Sequence, residues 1–215
     1  MQWQAGENLG EQIARVLRAS LVSGQMVPGV TYSVPALAEE FGVSAMPVRE
    51  AMLALVQQGL MTPVRNKGFR VVELSAKELD DIMQLRLMLE VPATVSVAKE
   101  MDERTLRELR RLAKDIARHA KAGQLVEYIE SDRQFHQTII GLAGNPRLEE
   151  LVDDLRARSR LTGLDELAEQ GDLSASAREH LDMLEAIAAG ETARLRILME
   201  RHIRHSRGIW AGLAE

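Results

Sequence analysis

The sequence predicts a mainly α chain in two parts. An N-terminal winged helix-turn-helix with a small β-hairpin is expected over residues 1–73, and a C-terminal all-α helical bundle over residues 74–215. Three observations carry this. "FGVSAMPVREAM" (41–52) places a serine, a proline and a hydrophobic run as a tight turn followed by a helix start would. "MTPVRNKGFRVV" (61–72) has strand formers on both sides of a glycine-containing turn. After residue 75 helix formers dominate, and apolar residues recur at helical spacing almost to the end.

Each N-terminal element has a local reason. In "LGEQIARVLRASLV" (9–22), Leu9, Ile13, Val16, Leu17 and Leu21 follow a helical period. Gly24, Pro28 and Gly29 in "SGQMVPGVTY" stop that helix and turn the chain. "VPALAEEF" (34–41) predicts a short helix with Ser33 as N-cap and Pro35 in its first turn. Gly42 is free to take positive φ in the turn that follows. Ser44 is the next N-cap, its hydroxyl expected to accept a free N–H of the first turn. Pro47 lies within that turn, where its missing N–H costs nothing.

The second helix runs through "VREAMLALVQQG" and ends at Gly59, with Val48, Met52 and Leu55 or Val56 facing inward. Arg49 lies off that stripe, near the end of the helix that enters a major groove in a helix-turn-helix. Residues 61–65 and 69–73 predict a two-stranded wing, with "NKG" (Asn66, Lys67, Gly68) at its tip. Lys67 is a candidate phosphate or minor-groove contact; a lone basic hairpin is otherwise a solvated turn.

The back half opens with a capping box, Ser75 and Glu78 three residues on. Helix breaks are expected near Pro92, at Met101–Asp102, at Ala122–Gly123, at Gly144–Pro146, around Gly163–Asp172 and at Gly190, giving six or seven helices.

Composition narrows the chemistry. Hydrophobic residues at 46% and charged residues at 27% are the balance of a globular protein. There is no cysteine, so disulfides and thiolate metal sites are excluded. No apolar run is long enough for a membrane span, and "MQWQAGENLGEQ" does not read as a signal peptide, so a cytoplasmic protein is expected. The net charge of −5 is uneven: residues 1–72 carry six Lys/Arg and five Asp/Glu, residues 73–215 carry 21 and 27. The front is therefore slightly basic, which is weak support for DNA binding.

The chain has five histidines. Asp132 and His136 are one helical turn apart, on the face of Phe135 and Ile139. His180 lies beside an apolar stripe with Leu181 and Leu184, and His202 follows Leu198 by one turn. Three helices could thus present three imidazoles and a carboxylate to one interior point, an N/O set suited to a divalent ion. Spacing alone equally allows hydrogen-bonded core histidines. His119 looks solvated, and His205 lies near the outer side of its helix.

"PG" (28–29), "LAEEFGVS", "PVREAM" and "GLMTPVRNKGFRV" together resemble the winged helix-turn-helix of GntR transcription regulators, over about residues 10–73. "IMQLRLMLEVPATVSVAK", "DRQFHQTIIGLAGNPRL", "EHLDMLEAIAAGETA" and "MERHI" resemble the FCD effector domain of the FadR subgroup, over about residues 78–205. The resemblance implies a metabolite-responsive transcription regulator, more often a repressor, that binds double-stranded operator DNA as a homodimer. It implies DNA contacts at Ser44, Ala45, Met46, Arg49, Asn66, Lys67 and Gly68. Many relatives carry Arg and Thr where Ala45 and Met46 stand, and a polar or charged residue where Pro35 stands. Neither Ala45 nor Met46 can make bidentate base contacts, so operator sequence does not carry over.

The resemblance also implies a divalent metal held by Asp132, His136, His180 and His202, zinc first, with nickel and manganese as alternatives. A small carboxylate effector is implied too. Arg86 in "QLRLMLE" is the candidate to grip it, or else a surface arginine bridging to Glu90. Asn145 in "AGNPRL" matches the family as an effector contact, or else caps the helix at Pro146. The competing class is a metal-dependent hydrolase or oxygenase fused to a nucleic-acid module. It is disfavoured because no second carboxylate or histidine is placed as a general base. A third class is a structural metal in a regulator without a ligand.

Overall fold

The computed structural model describes residues 3, 6, 8–160 and 172–210. Helix α1 (Leu9–Val22) is capped by Asn8, whose Oδ1 accepts from the Gly10 N–H at 2.8 Å. Strand β1 (Thr31–Tyr32) leads into α2 (Val34–Phe41), where Ser33 Oγ accepts from Ala36 N and Gly42 closes the helix at φ 66°. Helix α3 (Ala45–Gln57) follows, then β2 (Met61–Val64) and β3 (Gly68–Val71). Ile13, Leu17, Leu37, Val48, Met52, Leu55, Phe69 and Val71 close a first hydrophobic core.

The wing differs from expectation. It is a three-stranded antiparallel sheet in the order β1-β3-β2, with Tyr32 opposite Phe69 and Val64 opposite Gly68. Strand β1 came from a stretch expected only to turn. Two residues are too short to show a period of two, and only pairing with β3 makes them a strand. Gly68 sits at φ 125°, where a Cβ would collide with the Tyr32 carbonyl oxygen and lie 2.9 Å from Ser33 Cα. The glycine is thus needed for the close approach of β1 as well as for the hairpin. Ser44 also departs from expectation: it is the N-cap in backbone terms, but its side chain makes no cap hydrogen bond.

Helix α4 (Ala76–Val97) begins at the expected capping box, with Ser75 N donating to Glu78 Oε2 at 2.8 Å and Glu78 N donating to Ser75 Oγ at 3.2 Å. It does not break at Pro92. The carbonyl that loses its donor is that of Met88; both residues are exposed, so water can satisfy it. A 3₁₀ turn (Ala98–Glu100) leads to α5 (Glu103–Ala122), α6 (Leu125–Gly141), α7 (Pro146–Ser159), α8 (Asp172–Ala188) and α9 (Thr192–Trp210). The other expected breaks fall between these helices, except that Gly163–Asp172 lies almost wholly outside the described residues.

The second core gathers Leu109, Leu112 and Ile116 of α5, Phe135 and Ile139 of α6, Met183 of α8, and Leu195, Met199 and Ile203 of α9. Helix α5 lies against α6 and α8, α9 against α4 and α8, and α4 against α7. The two cores meet: Val22 of α1 belongs to the second, and Ala157 of α7 packs on the first.

Candidate functional site

Three helices of the bundle converge on one buried point. Helix α6 supplies Asp132 and His136, α8 supplies His180 and α9 supplies His202; none of the four is more than 3% exposed. One ligand atom from each lies within 4.8 Å of every other. His180 Nε2 is 3.1 Å from Asp132 Oδ1 and 3.2 Å from His136 Nε2, which is 3.9 Å from the same oxygen. The helical spacing explains the placement. Asp132 and His136 share the inward face with Phe135, whose ring packs edge-on against His136 and His180 at 5.2 and 4.8 Å.

The partners on the far side of the rings set the chemistry. Nδ1 of His202 donates to Glu179 Oε2 at 2.8 Å, and Nδ1 of His180 faces the Ala177 carbonyl oxygen at 3.4 Å. A carboxylate and a carbonyl only accept, so in the neutral rings the proton is on Nδ1 and the Nε2 lone pairs point inward. Burial keeps His202 and His136 neutral: it pushes the His202 pKa down to about 4, and His136 well below the usual value, with Arg156 adding to the effect. Burial would raise the Asp132 carboxyl, but the Arg160 and Arg156 guanidinium groups hold it well below its usual range. A carboxylate and neutral imidazoles with converging lone pairs are a donor set that a divalent cation satisfies, and the cluster could hold one.

Around this point lies an ionic network that sequence reasoning largely missed. Asp132 Oδ2 accepts from Arg156 Nη2 at 2.8 Å and from Arg160 Nη2, leaving Oδ1 to the histidines. Arg156 Nη1 also donates to Glu90 Oε2 at 2.7 Å, and Arg86 Nε to Glu90 Oε1 at 2.6 Å. Arg86 Nη1 reaches Ser159 Oγ at 3.3 Å. Arg86 does bridge to Glu90, but both are buried rather than on the surface. The network sets three guanidinium groups against two carboxylates, Glu90 and Asp132.

Arg156 and Arg160 were legible as arginines one turn apart, but a basic run on a helix ordinarily reads as a solvated face. Glu179 was missed for a different reason: its partner His202 is on another helix. His205, expected on the outer side, is half-buried, with Nδ1 3.3 Å from Glu179 Oε1. His119, expected to be solvated, is half-buried and pairs with Ser131 Oγ at 3.2 Å. Asn145 is exposed and caps α7 by accepting from Leu148 N.

At the other end of the molecule, Ser44, Ala45, Met46 and Arg49 lie exposed on the first turns of α3, with Met46 65% exposed. Asn66 and Lys67 are exposed at the hairpin tip, Asn66 with φ 58°, and Gly68 is half-buried.

Comparison with known proteins agrees with this architecture. Residues 9–71 match the gntR family of bacterial regulatory proteins, and residues 81–205 match the FCD domain. The chain is 29% identical over 183 residues to the HTH-type transcriptional regulator McbR of Escherichia coli (strain K12), covering 85% of this chain and 82% of McbR. The solved structure of E. coli McbR/YncC superposes with a TM-score of 0.80 at 25% identity, covering 96% of this chain and 98% of that one. The HTH-type transcriptional repressor GlaR of E. coli (strain K12) is 28% identical over 197 residues, covering 88% and 90%. The uncharacterized HTH-type transcriptional regulator YdhC of Bacillus subtilis (strain 168) is 31% identical over 143 residues; that match spans 66% of this chain and 64% of YdhC, under two thirds of its length. The exposed helix and wing at one end, the bundle at the other and these matches lead to one conclusion: the chain belongs to the GntR family, in the FadR subgroup that joins a GntR helix-turn-helix to an FCD domain, and it is a DNA-binding transcription regulator rather than an enzyme.

Proposed function

We propose that this regulator is a metabolite-responsive repressor whose bundle binds a divalent metal and a small carboxylate. Residues 1–73 form its DNA-reading domain and residues 74–215 its effector-binding and dimerisation domain. The observation that carries the reading is the buried convergence of Asp132, His136, His180 and His202, with ligand atoms within 4.8 Å of one another. Zinc is the first choice for three imidazoles and a carboxylate, with nickel and manganese as alternatives. A cation held there supplies a positive centre for an anionic ligand. The excess of guanidinium over carboxylate around Glu90 and Asp132 favours the same charge. Arg86 is the candidate to bind the ligand by exchanging Glu90 for it, and Asn145 is retained as a secondary candidate from the family motif. The repressor reading follows relatives such as GlaR that carry that name.

On the DNA side, Ser44, Ala45, Met46 and Arg49 are proposed to enter the major groove, with Asn66, Lys67 and Gly68 of the wing against the adjacent backbone. A homodimer would set two such surfaces on a two-fold operator, in the cytoplasm. Among the described residues no helix is long and apolar enough to cross a membrane.

Native mass spectrometry of the purified chain tests the central claim. Stoichiometric metal is expected with wild type and none with His180→Ala. Equal metal content in both would remove these residues as ligands.

A further inference from the structure

We propose that the last turn of α7 together with its C-cap, residues 156–160, couples the His/Asp centre to the joint between the recognition helix α3 and the wing. This proposal rests on that centre being the site of ligation. Arg156 and Arg160 are four residues apart and share a face, and both donate to Asp132 Oδ2. The residues between them point elsewhere. Ala157 packs on the first hydrophobic core, and it lines one small cavity with Leu21, Leu60, Arg156 and Arg160. Arg158 lies across the end of α3: its Cδ is 3.3 Å from where a Cβ on Gly59 would stand, and its Nε is buried without a hydrogen-bond partner among the described residues. A single helical turn therefore holds a candidate metal ligand on one side and the end of α3 on the other.

The place it touches is where both DNA-facing elements are anchored. Helix α3 ends at Gln57 with Gln58 as its C-cap; Gly59, at φ 69°, then turns the chain, and Leu60 N donates back to Leu55 O at 2.9 Å. The Leu60 carbonyl accepts from Val72 N at 3.0 Å, tying the far end of the wing to the same residue. Leu60 is 1% exposed, with β2 beginning at the next residue. In a close-packed contact of this kind, a shift of one partner must be accommodated by the other. When Asp132 changes its hold on Arg156 and Arg160, the turn carrying Ala157 and Arg158 moves against Gly59 and Leu60. Helix α3 and the wing are then re-aimed together. A ligand acts on DNA binding only if it favours one of these settings over the other.

Hydrogen exchange of the full chain, read by mass spectrometry, tests this. Asp132→Asn without added metal is expected to speed exchange about fivefold or more at amides of 156–160 and also of 57–61. Exchange in 36–41 of α2 is expected to stay as in wild type. A change confined to 156–160, or one spread equally into 36–41, overturns the coupling. If circular dichroism shows that Asp132→Asn does not fold, Arg160→Lys keeps the charge and is read the same way. In a second arm, Zn²⁺ is added to wild type and slowing is expected at both segments. Stoichiometric Zn²⁺ binding with no change at 57–61 overturns the coupling and leaves the metal site intact. Absence of Zn²⁺ binding overturns the proposed zinc site instead, and the Asp132→Asn arm still decides the coupling.

Discussion

Nδ1 of His202 donates to Glu179 Oε2 at 2.8 Å, and this one bond commits the ring to presenting Nε2 toward Asp132, His136 and His180. Glu179 also accepts from His205 and pairs with Arg201 Nε at 3.3 Å, so its own position is fixed from three sides. Its carboxyl is a support for a ligand rather than a free base. Glu179→Ala is therefore expected to weaken metal binding by about 10–100-fold while the fold is kept. Competition against a chromophoric chelator measures this, and an unchanged affinity would show that the His202 tautomer does not depend on Glu179.

The depressed histidines predict the acid response of the metal-free protein. His202 is lowered to about 4 and His136 lies well below its usual value, both chiefly through burial. Between pH 6.5 and about 4 the unfolded chain binds protons that the folded chain refuses, so stability is full above 6.5 and falls as pH drops through this window. His202 alone contributes a loss on the order of 3 kcal/mol. Urea midpoints from pH 7.5 to 4.5 on chelator-treated protein are expected to fall steadily below 6.5. A flat profile would mean the rings accept protons in place. Metal affinity of the folded chain is expected to hold through most of this range and to fall as pH approaches 4, where protons begin to compete for His202.

Glu90 is 0% exposed and is gripped by Arg86 and Arg156 together. Glu90→Gln leaves two buried guanidinium groups short of charge and is expected to cost about 3–5 kcal/mol. If the proposed role of the network is correct, a small carboxylate added to this variant should recover part of that loss. Thermal melts with and without acetate or a dicarboxylate read both effects.

Gly68→Ala places a Cβ against the Tyr32 carbonyl at φ 125°. The expected outcome is separation of β1 from β3 and a loss of about 2 kcal/mol. Denaturant unfolding gives the cost. A stability equal to wild type would show that β1 can move aside freely.

Arg49→Ala should weaken binding to a duplex selected by the wild-type protein by about 1–3 kcal/mol if Arg49 reads a base. If Arg49 holds a phosphate, affinity should fall alike for all sequences and the salt slope should shrink by about one. Fluorescence anisotropy at several salt concentrations separates the two, and unchanged affinity and slope remove Arg49 from the interface.

Much of this protein was legible without coordinates because its instructions are local. The box of Ser75 and Glu78 starts α4, Ser33 and Gly42 bound α2, and the spacing of Asp132 and His136 already places both on one helix face. Short-range sterics and hydrogen bonds decide such features within one or two turns. What the sequence did not determine depends on neighbours distant along the chain. Thr31 and Tyr32 become a strand only beside β3, and Pro92 stays helical where it and Met88, whose carbonyl it leaves without a donor, are both exposed to water. Arg156 and Arg160 turn from an apparent surface run into a buried grip on Asp132, and Glu179 becomes the support of His202 from another helix. Burial creates these roles: a charge excluded from water must find a partner, and only the packing of α4, α6, α7, α8 and α9 decides which partner is within reach.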